Sequence, residues 1–386
     1  MRDYKRGLVP ISGDPITNGH LNLTERALVV CSEVIVFVAN NDTKKHLFNQ
    51  KERALIVKKA VLDKGLKRVR IISGKSLLTD IYLRENCDAL FRGIRESKDK
   101  DYEDKQMFFH KRILPSLDGR IIYLEAEDNM KYVSSSVVKS LVSHYLSVSD
   151  MTPLFVQRLL EERILGQYKV AITGGIAVGK SFVSKQLALE LFDQHKIPAF
   201  CINIDQLVRD FYKEKSPAGD NLRKTLAKNF GNNVLSNNGN DVNREILKQQ
   251  IFHKGNKGLR IELHKMTAPH IERKYREALN GKKGIVILEW AQLAEMNMGH
   301  WTNNNCIVVD SQNKTGFANK RNLNAMFVKC VAKHQWSAEK KVSALREGIA
   351  FDNCGEVIEY QNIYGNDERI KNLAESVMSL FQKPVF

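Results

Sequence analysis

The sequence predicts an α/β protein with two doubly wound parallel-sheet domains, and two observations support this class. Short apolar runs alternate with amphipathic segments, which is the pattern of parallel strands joined by right-handed helical crossovers. In addition, two glycine-containing segments, Thr17–His20 and Gly174–Ser181, each follow an apolar run and begin a helical pattern. Backbone N–H groups at such helix N-termini bind anions, so we expect the chain to bind phosphate groups at two places.

Size and composition fit a folded globular protein of two or three domains. The chain has 386 residues, and a domain usually takes about 100–200 residues. No apolar run approaches the roughly 20 residues that span a bilayer, and the N-terminus has no signal-peptide pattern, so we expect no membrane association. The six cysteines are scattered without a CxxC pair. This favours a cytoplasmic protein without a zinc site or a disulfide framework.

The net charge of +16 indicates an anionic partner. Nucleic acid, acidic membrane and small anionic substrates would each satisfy this charge. Lysine and arginine are spread along the whole chain, and no recognition-helix or zinc-finger pattern is present. We therefore favour small nucleotide substrates over nucleic acid. The sequence leaves the oligomeric state open, a homo-oligomer included.

The first half predicts one parallel sheet with its crossover helices. Val34–Ala39 is almost entirely apolar, as expected of a strand buried on both faces. Lys51–Leu62 has helical spacing of its apolar residues. The other predicted strands are Gly7–Ile11, Val69–Ile72, Ala89–Phe91 and Ile121–Leu124. The other predicted helices are His20–Cys31, Leu77–Arg84, Asp99–Ile113 and Ser134–Tyr145.

A domain boundary is predicted where the amphipathic helix Leu154–Leu165 ends at Gly166 and a new strand begins at Tyr168. The predicted domains are therefore 1–165 and 166–386. The second domain should contain the strands Tyr168–Thr173, Pro198–Ile204, Gly284–Leu288 and Ile307–Asp310. Its predicted helices are Lys180–Phe192, a helical stretch over about 206–279, and a helical last third that ends in Glu368–Phe381.

The first phosphate site centres on His20. A histidine one turn into a helix, just after a glycine, can direct its imidazole at a bound phosphate and stabilise charge that develops there. A histidine that merely packs at a helix start is the alternative. The surrounding run Ile11–Leu21 resembles bacterial phosphopantetheine adenylyltransferases, members of the nucleotidyltransferase superfamily with its (H/T)xGH motif. The further matches, in order, are Thr43–Lys45, Leu90–Arg95, Asp101–Glu103 and Tyr132–Val138.

This resemblance implies a Rossmann-like domain that transfers AMP from ATP to 4′-phosphopantetheine, giving dephospho-coenzyme A and pyrophosphate. It implies that His20 and Lys44 stabilise the transition state, that Ser12 holds the attacking phosphate, and that Arg92 binds phosphopantetheine. The residues it implies for ATP are Asn18, Gly19, Arg95, Glu103, Ser134, Ser135 and Ser136. One departure is Ile11-Ser12-Gly13 where the family usually has Gly-Thr-Phe, although Ser12 keeps the hydroxyl.

The second phosphate site is a complete Walker A motif between an apolar strand and an amphipathic helix. The loop that would hold the phosphates comprises Gly174, Gly175, Ile176, Ala177, Val178, Gly179 and Ser181. In this motif the lysine, here Lys180, reaches the β- and γ-phosphates, and the hydroxyl of Ser181 is a ligand of Mg²⁺. The predicted cofactor is therefore Mg²⁺, bound together with ATP.

The full run Ile172–Ser181 resembles dephospho-coenzyme A kinase, as do the later segments Asn243–Leu247, Pro269–Ile271 and Glu289–Glu295. The resemblance implies a P-loop kinase in which Asp205 accepts the proton of the ribose 3′-hydroxyl and Arg244 binds substrate. Three departures stand out: Asn203 replaces a carboxylate of the family, Ala177 replaces a loop glycine, and the lid is reduced to Val331–His334 after an extra stretch at about 312–325.

Together, the two resemblances predict an adenylyltransferase followed by a kinase, with ATP, 4′-phosphopantetheine and dephospho-coenzyme A as substrates. Two alternatives remain at this point. One is a nicotinamide-nucleotide adenylyltransferase fused to a ribosylnicotinamide kinase. The other is an adenylyltransferase that carries a degenerate P-loop domain with a regulatory role.

Overall fold

The computed structural model describes residues 3–40, 45–95, 97–252, 257–313, 316, 328, 332–333, 335–363 and 367–383. The chain divides into two compact units, with the boundary along the sequence between Leu165 and Gly166. Each unit contains one five-stranded sheet in which all pairings are parallel. The predicted α/β class with two doubly wound sheets is confirmed.

The first unit begins with the strand that carries the first phosphate motif at its carboxyl end. Its strands are β1 (Tyr4–Ile11), β2 (Cys31–Ala39), β3 (Val69–Gly74), β4 (Ala89–Ile94) and β5 (Ile121–Glu125). Its helices are α1 (Asn18–Val30), α2 (Gln50–Asp63), α3 (Leu78–Arg84), α4 (Ser97–Ile113), α5 (Ser135–Ser143) and α6 (Leu154–Leu160). A π-helical turn over Glu161–Leu165 follows α6, so the predicted single helix over this segment is divided in two.

The strand order of the first sheet is β3-β2-β1-β4-β5. After β3 the chain returns to the other side of β1 and adds β4 there. In open parallel sheets, a crevice forms at the carboxyl ends of the strands where the order reverses, and ligands bind in it. Here that crevice lies between β1 and β4.

The second unit has the same architecture with more helices. Its strands are β6 (Gln167–Gly174), β7 (Ala199–Asn203), β8 (Gly284–Glu289), β9 (Asn305–Asp310) and β10 (Glu356–Gln361). Its helices are α7 (Lys180–His195), α8 (Ile204–Tyr212), α9 (Pro217–Phe230), α10 (Arg244–Phe252), α11 (Lys257–Leu279), α12 (Ala338–Asp352) and α13 (Asp367–Gln382). The sheet order is β10-β9-β6-β8-β7.

The central strand β6 is packed from one side by α7 and α13. Val170 and Ile172 of β6 share one buried cluster with Leu187 of α7 and with Leu373 and Val377 of α13. This packing fixes α7 relative to β6, and the Walker A loop joins those two elements. A separate apolar cluster, which includes Phe211, Leu222, Leu226 and Leu247, holds α8 to α10 together.

Two sequence predictions in the second unit were wrong. The segment of β10 was expected to be helical, as part of a helical last third. In the structure it is a strand without the continuous apolar run of a buried strand, because Glu356 and Glu359 interrupt its apolar residues and only Tyr360 is buried. The strand β7 was expected to reach Ile204, but it ends at Asn203 and α8 begins at once. Among the described residues, every helix is too short or too polar to cross a bilayer.

Candidate active sites

The first candidate site lies at the carboxyl edge of the first sheet. Ser12 directly follows β1, His20 lies in the first turn of α1, Arg95 directly follows β4, and Ser134 is the N-cap of α5. Because β1 and β4 are parallel neighbours, their ends lie at the same edge of the sheet. The predicted residue Lys44 lies outside the described residues.

The imidazole of His20 is held in one orientation by the residue that caps its own helix. The backbone N–H of Thr17 donates to Nδ1 of His20 at 3.1 Å, and Oγ1 of Thr17 lies 2.9 Å from the same nitrogen. A ring nitrogen that accepts a hydrogen bond carries no proton, so the proton of the neutral ring is on Nε2. Burial, together with the charge of Arg95, lowers the pKa of His20 to about 4. At neutral pH, His20 is therefore an uncharged donor through Nε2–H.

Asp14 connects two other segments of the chain to the loop after β1. Its side chain, only 4% exposed, accepts from the backbone N–H groups of Leu47 and Phe48 and, at 2.9 Å, from Nζ of Lys139 on α5. Burial alone would raise the pKa of Asp14, but these hydrogen bonds hold it below its usual value. Sequence reasoning placed Asp14 in the motif but gave it no role, because its partners are distant along the chain.

Arg53 connects the carboxyl ends of β1 and β2. Its side chain is fully buried, and its guanidinium donates to the carbonyl oxygens of Ser12 and Ala39 and to Oδ1 of Asn40. Burial lowers the pKa of Arg53, while the negative charge of Asp14 raises it. The rigid fork of an arginine suits three acceptors on two chain segments. Sequence reasoning missed this residue.

Other predicted residues of the first site already have partners within the protein. Arg92 and Glu103, predicted to bind two different substrates, form an ion pair with each other. The side chain of Asn18 donates to the carbonyl oxygen of Asp150 at 2.9 Å. The hydroxyl of Ser134 caps α5, that of Ser135 donates to the carbonyl oxygen of Pro15, and Ser136 is exposed in the first turn next to them. Gly19 lies within the first turn of α1.

The second candidate site is the loop between β6 and α7. Gly174 has a φ of +144°, and a Cβ atom placed there would lie 2.1 Å from the carbonyl oxygen of Val309. Gly179, with a φ of +87°, is the N-cap of α7. Ala177, which stands where the family has glycine, takes a φ of +59°. The loop therefore keeps a left-handed residue at this position, at the strain cost of a Cβ. Gly175, Ile176 and Val178 lie between these positions.

Lys180 and Ser181 begin α7 and both have partners around the loop. Nζ of Lys180 donates to the carbonyl oxygen of Gly175 at 2.7 Å, and Oγ of Ser181 donates to Oε1 of Glu289 at 2.7 Å. Glu289 ends β8 and is 7% exposed. A hydroxyl beside a carboxylate is an oxygen donor set that fits Mg²⁺. Glu289 was not among the predicted site residues. The sequence signal that could have identified it is its position at the end of a buried apolar strand, on the same sheet edge as the phosphate loop.

Asp205 lies in the first turn of α8 and is exposed, instead of at the end of a strand as expected. The reason is Asn203, whose Oδ1 accepts from the backbone N–H of Gln206 at 2.9 Å and so caps α8. Asparagine and aspartate are equally good N-caps. The departure at Asn203 therefore preserves the local structure that presents Asp205.

Replacing Asn203 with alanine is expected to lower the free energy of unfolding by about 1 kcal/mol, because the cap of α8 is lost. Asn203→Asp keeps the cap and should be nearly neutral. Urea unfolding measures the stability, and the rate of phosphorylation of dephospho-coenzyme A measures the effect on Asp205. The matched control is Ser216→Ala, which removes the cap of α9. If both alanine variants reduce the phosphorylation rate equally, Asn203 has no special role in placing Asp205.

A buried lysine of the second unit interacts electrostatically with Asp205. Lys341 of α12 is fully buried, and its Nζ donates to both carboxylate oxygens of Glu295 and to the carbonyl oxygen of Ala291. Burial lowers the pKa of Lys341, while Glu295 and then Asp205 act to raise it. Asp205 and Lys341 are thus close enough to attract each other electrostatically. The predicted residue Arg244 begins α10 and is exposed, and its charge acts on Tyr212.

The predicted remnant of a lid, Val331–His334, and the stretch at about 312–325 lie largely outside the described residues. The sequence predictions for those segments therefore stay predictions.

Two separate parts of the chain resemble known protein families. Residues 12–140 match the family of cytidylyltransferase-like proteins, and residues 168–357 match the family of dephospho-CoA kinases. The phosphopantetheine adenylyltransferase of Histophilus somni strain 129Pt is 34% identical over 156 residues, which cover 40% of this chain and 96% of that relative. The chain belongs to the phosphopantetheine adenylyltransferase family. The relative from Shouchella clausii, also a phosphopantetheine adenylyltransferase, is 35% identical over 158 residues, which cover 41% of this chain and 97% of that protein.

Among solved structures, a protein of Thermus thermophilus is 19% identical, with a TM-score of 0.41, and the match covers 55% of this chain and 98% of that one.

The chain thus joins a phosphopantetheine adenylyltransferase unit to a dephospho-CoA kinase domain. These matches indicate nucleotidyltransferase and kinase activities and confirm the predicted fusion. Both enzyme classes act on small molecules with ATP, which implies a divalent metal ion. Neither the nicotinamide-nucleotide alternative nor the regulatory P-loop alternative is favoured by them.

Proposed function

We propose that the chain catalyses the last two steps of coenzyme A biosynthesis. The first step transfers AMP from ATP to 4′-phosphopantetheine and releases pyrophosphate, which gives dephospho-coenzyme A. The second step transfers the γ-phosphoryl group of a second ATP to the ribose 3′-hydroxyl, which gives coenzyme A and ADP. The observation that carries this proposal is that one chain joins a unit similar to phosphopantetheine adenylyltransferases to a domain that matches dephospho-CoA kinases, and that each contains a motif predicted to bind phosphate.

In the first step, a phosphate oxygen of 4′-phosphopantetheine attacks the α-phosphorus of ATP, and the bond to the bridging oxygen of pyrophosphate breaks. Nε2–H of His20 is placed to donate to the phosphoryl oxygens, where negative charge increases in the transition state. Arg95, whose positive charge acts on His20, adds electrostatic stabilisation of the negative charge on the phosphoryl oxygens. We assign Ser12, at the end of β1, to the attacking phosphate, and Ser136 with the N-terminus of α5 to the triphosphate.

In the second step, Asp205 accepts the proton of the 3′-hydroxyl while the γ-phosphoryl group is transferred. The loop Gly174–Gly179 and the N-terminus of α7 hold the phosphates, and Lys180 leaves the carbonyl of Gly175 to bind them. Ser181 and Glu289 would hold Mg²⁺ beside the phosphates. When bound, this ion neutralises phosphate charge and orients the β- and γ-phosphates. We assign Arg244 to the acceptor substrate.

The remaining functional predictions concern location and partners. The scattered cysteines favour the cytoplasm, the spread of basic residues favours small anionic substrates over nucleic acid, and the oligomeric state stays open. These statements stay predictions.

The proposal is tested by a mass-spectrometric product assay with ATP, Mg²⁺ and 4′-phosphopantetheine. The wild-type protein should give coenzyme A. Asp205→Asn should accumulate dephospho-coenzyme A, with phosphorylation slowed at least about a hundredfold because the general base is removed. Asp210→Asn, an exposed carboxylate of the same helix, is the matched control and should give coenzyme A. Failure of the wild-type protein to form any product contradicts both steps. Unimpaired output from Asp205→Asn contradicts the assignment of the base.

A further inference from the structure

Asn362 connects the last strand of the second sheet to the phosphate loop. It directly follows β10 and is 2% exposed. Its backbone N–H donates to the carbonyl oxygen of Asp310 at 2.8 Å, and its backbone carbonyl accepts from Oγ of Ser311 at 2.9 Å. These two contacts fix its backbone against the end of β9. Its side chain then donates from Nδ2 to the carbonyl oxygen of Val178 at 2.9 Å.

The carbonyl of Val178 belongs to the peptide group that also contains the N–H of Gly179. In a trans peptide, the C=O and N–H bonds point in opposite directions. Because Asn362 holds the carbonyl on its own side, it sets the direction of the Gly179 N–H as well. Gly179 is the N-cap of α7 and has a positive φ, so it also has access to conformations in which this peptide is turned over. Without a donor at Asn362, the buried carbonyl of Val178 would lack this partner.

We propose that Asn362 is a positioning residue for the kinase reaction. By binding the carbonyl of Val178, it keeps the Gly179 N–H directed at the bound phosphates of ATP. The side chain itself does not touch the nucleotide. The proposal rests on the proposed kinase function and adds a residue that lies beyond the segment matched by the kinase family, which ends at residue 357. This role also gives a reason why Asn362 is buried although it follows β10, an edge strand with one buried residue.

The test is Asn362→Asp, measured in the full chain. Aspartate has the same shape but offers only acceptor oxygens, so it repels the carbonyl of Val178. The KM for ATP in the phosphorylation of supplied dephospho-coenzyme A should rise about fivefold to tenfold, which corresponds to the loss of one hydrogen bond to the loop. Binding of a fluorescent ADP analogue to the second unit should weaken by the same factor. The KM for ATP in adenylyl transfer should be unchanged, because that step uses the first unit.

The matched control is Asn305→Asp. Asn305 is also 2% exposed, and its Nδ2 donates to the backbone carbonyl of Lys169, at the opposite end of β6 from the phosphate loop. It should lose thermal stability without a change in the KM for ATP. If Asn362→Asp is too unstable to purify, Asn362→Ala removes the donor without adding charge and should raise the same KM.

Three results would overturn the inference: an unchanged KM for ATP in folded Asn362 variants, an equal rise in Asn305→Asp, or a fall in the turnover number without a change in KM. A wild-type protein that forms dephospho-coenzyme A but never coenzyme A is a different failure, because it contradicts the proposed kinase function itself.

Discussion

Replacing His20 with alanine is expected to slow adenylyl transfer by about 10²–10³-fold, the usual effect of removing one donor from a site that stabilises developing charge. Phosphorylation of supplied dephospho-coenzyme A should proceed at the wild-type rate, because the second unit is untouched. Pyrophosphate release measures the first step, and ADP formation measures the second. The matched control is His144→Ala, an exposed histidine at the end of α5, which should retain both activities.

The lowered pKa of His20 adds a prediction about pH to the same experiment. An ordinary histidine is half protonated near pH 6.5, whereas His20 should become protonated only near pH 4. The rate of adenylyl transfer should therefore show no loss assignable to His20 between pH 7 and about pH 5. An inflection near pH 6.5 that is present in the wild-type protein and absent from His20→Ala would contradict the assignment of a neutral Nε2–H donor.

Gly174→Ala is expected to convert the chain into a producer of dephospho-coenzyme A. A Cβ atom at this position would meet the carbonyl oxygen of Val309 at 2.1 Å, and the φ of +144° is one that residues with side chains rarely adopt. The loop must therefore move, and a displacement of about 1 Å in such a site can cost 10²-fold in rate. We expect phosphorylation to fall at least about a hundredfold while adenylyl transfer is unchanged, as measured by the ratio of the two products.

The control for this substitution is Gly348→Ala. Gly348 lies in α12, and a Cβ atom there would meet nothing within 4 Å. Because alanine is a better helix former, this variant should gain about 0.5–1 kcal/mol of stability and keep both activities. If Gly174→Ala still produces coenzyme A at the normal rate, the loop between β6 and α7 does not bind the phosphates as proposed.

Much of the fold was predictable because the central strands carry their own signal. Val34 to Val38 are all buried, and their apolar run identifies β2 without any knowledge of its neighbours. The strand β10 has no such signal, since it lies at the edge of its sheet and buries only Tyr360. Its conformation is set by pairing with β9, which is a tertiary contact. Local patterns do not contain that information.

The residues of the candidate sites also divide into those with a local sequence signal and those whose role depends on tertiary contacts. Residues within a motif, such as His20 and Lys180, could be predicted because their spacing follows from the local geometry of a loop and a helix start, and their roles stay predictions. Asp14, Arg53 and Glu289 act through partners far along the chain, so spacing does not identify their roles. Asn203 shows the reverse case. Judged against a family pattern it indicated a weakened site, whereas in the structure it is a suitable helix cap.

The contact between Asn362 and Val178 also has a consequence for the timing of protein synthesis. The two residues are 184 positions apart, and a ribosome adds about 5–20 residues per second. The phosphate loop is therefore translated roughly 10–40 s before Asn362, the residue that orients the Val178–Gly179 peptide of that loop. By the inference above, tight binding of ATP in the second unit requires that translation has passed Asn362, whereas all described residues of the first site are translated before the second unit begins.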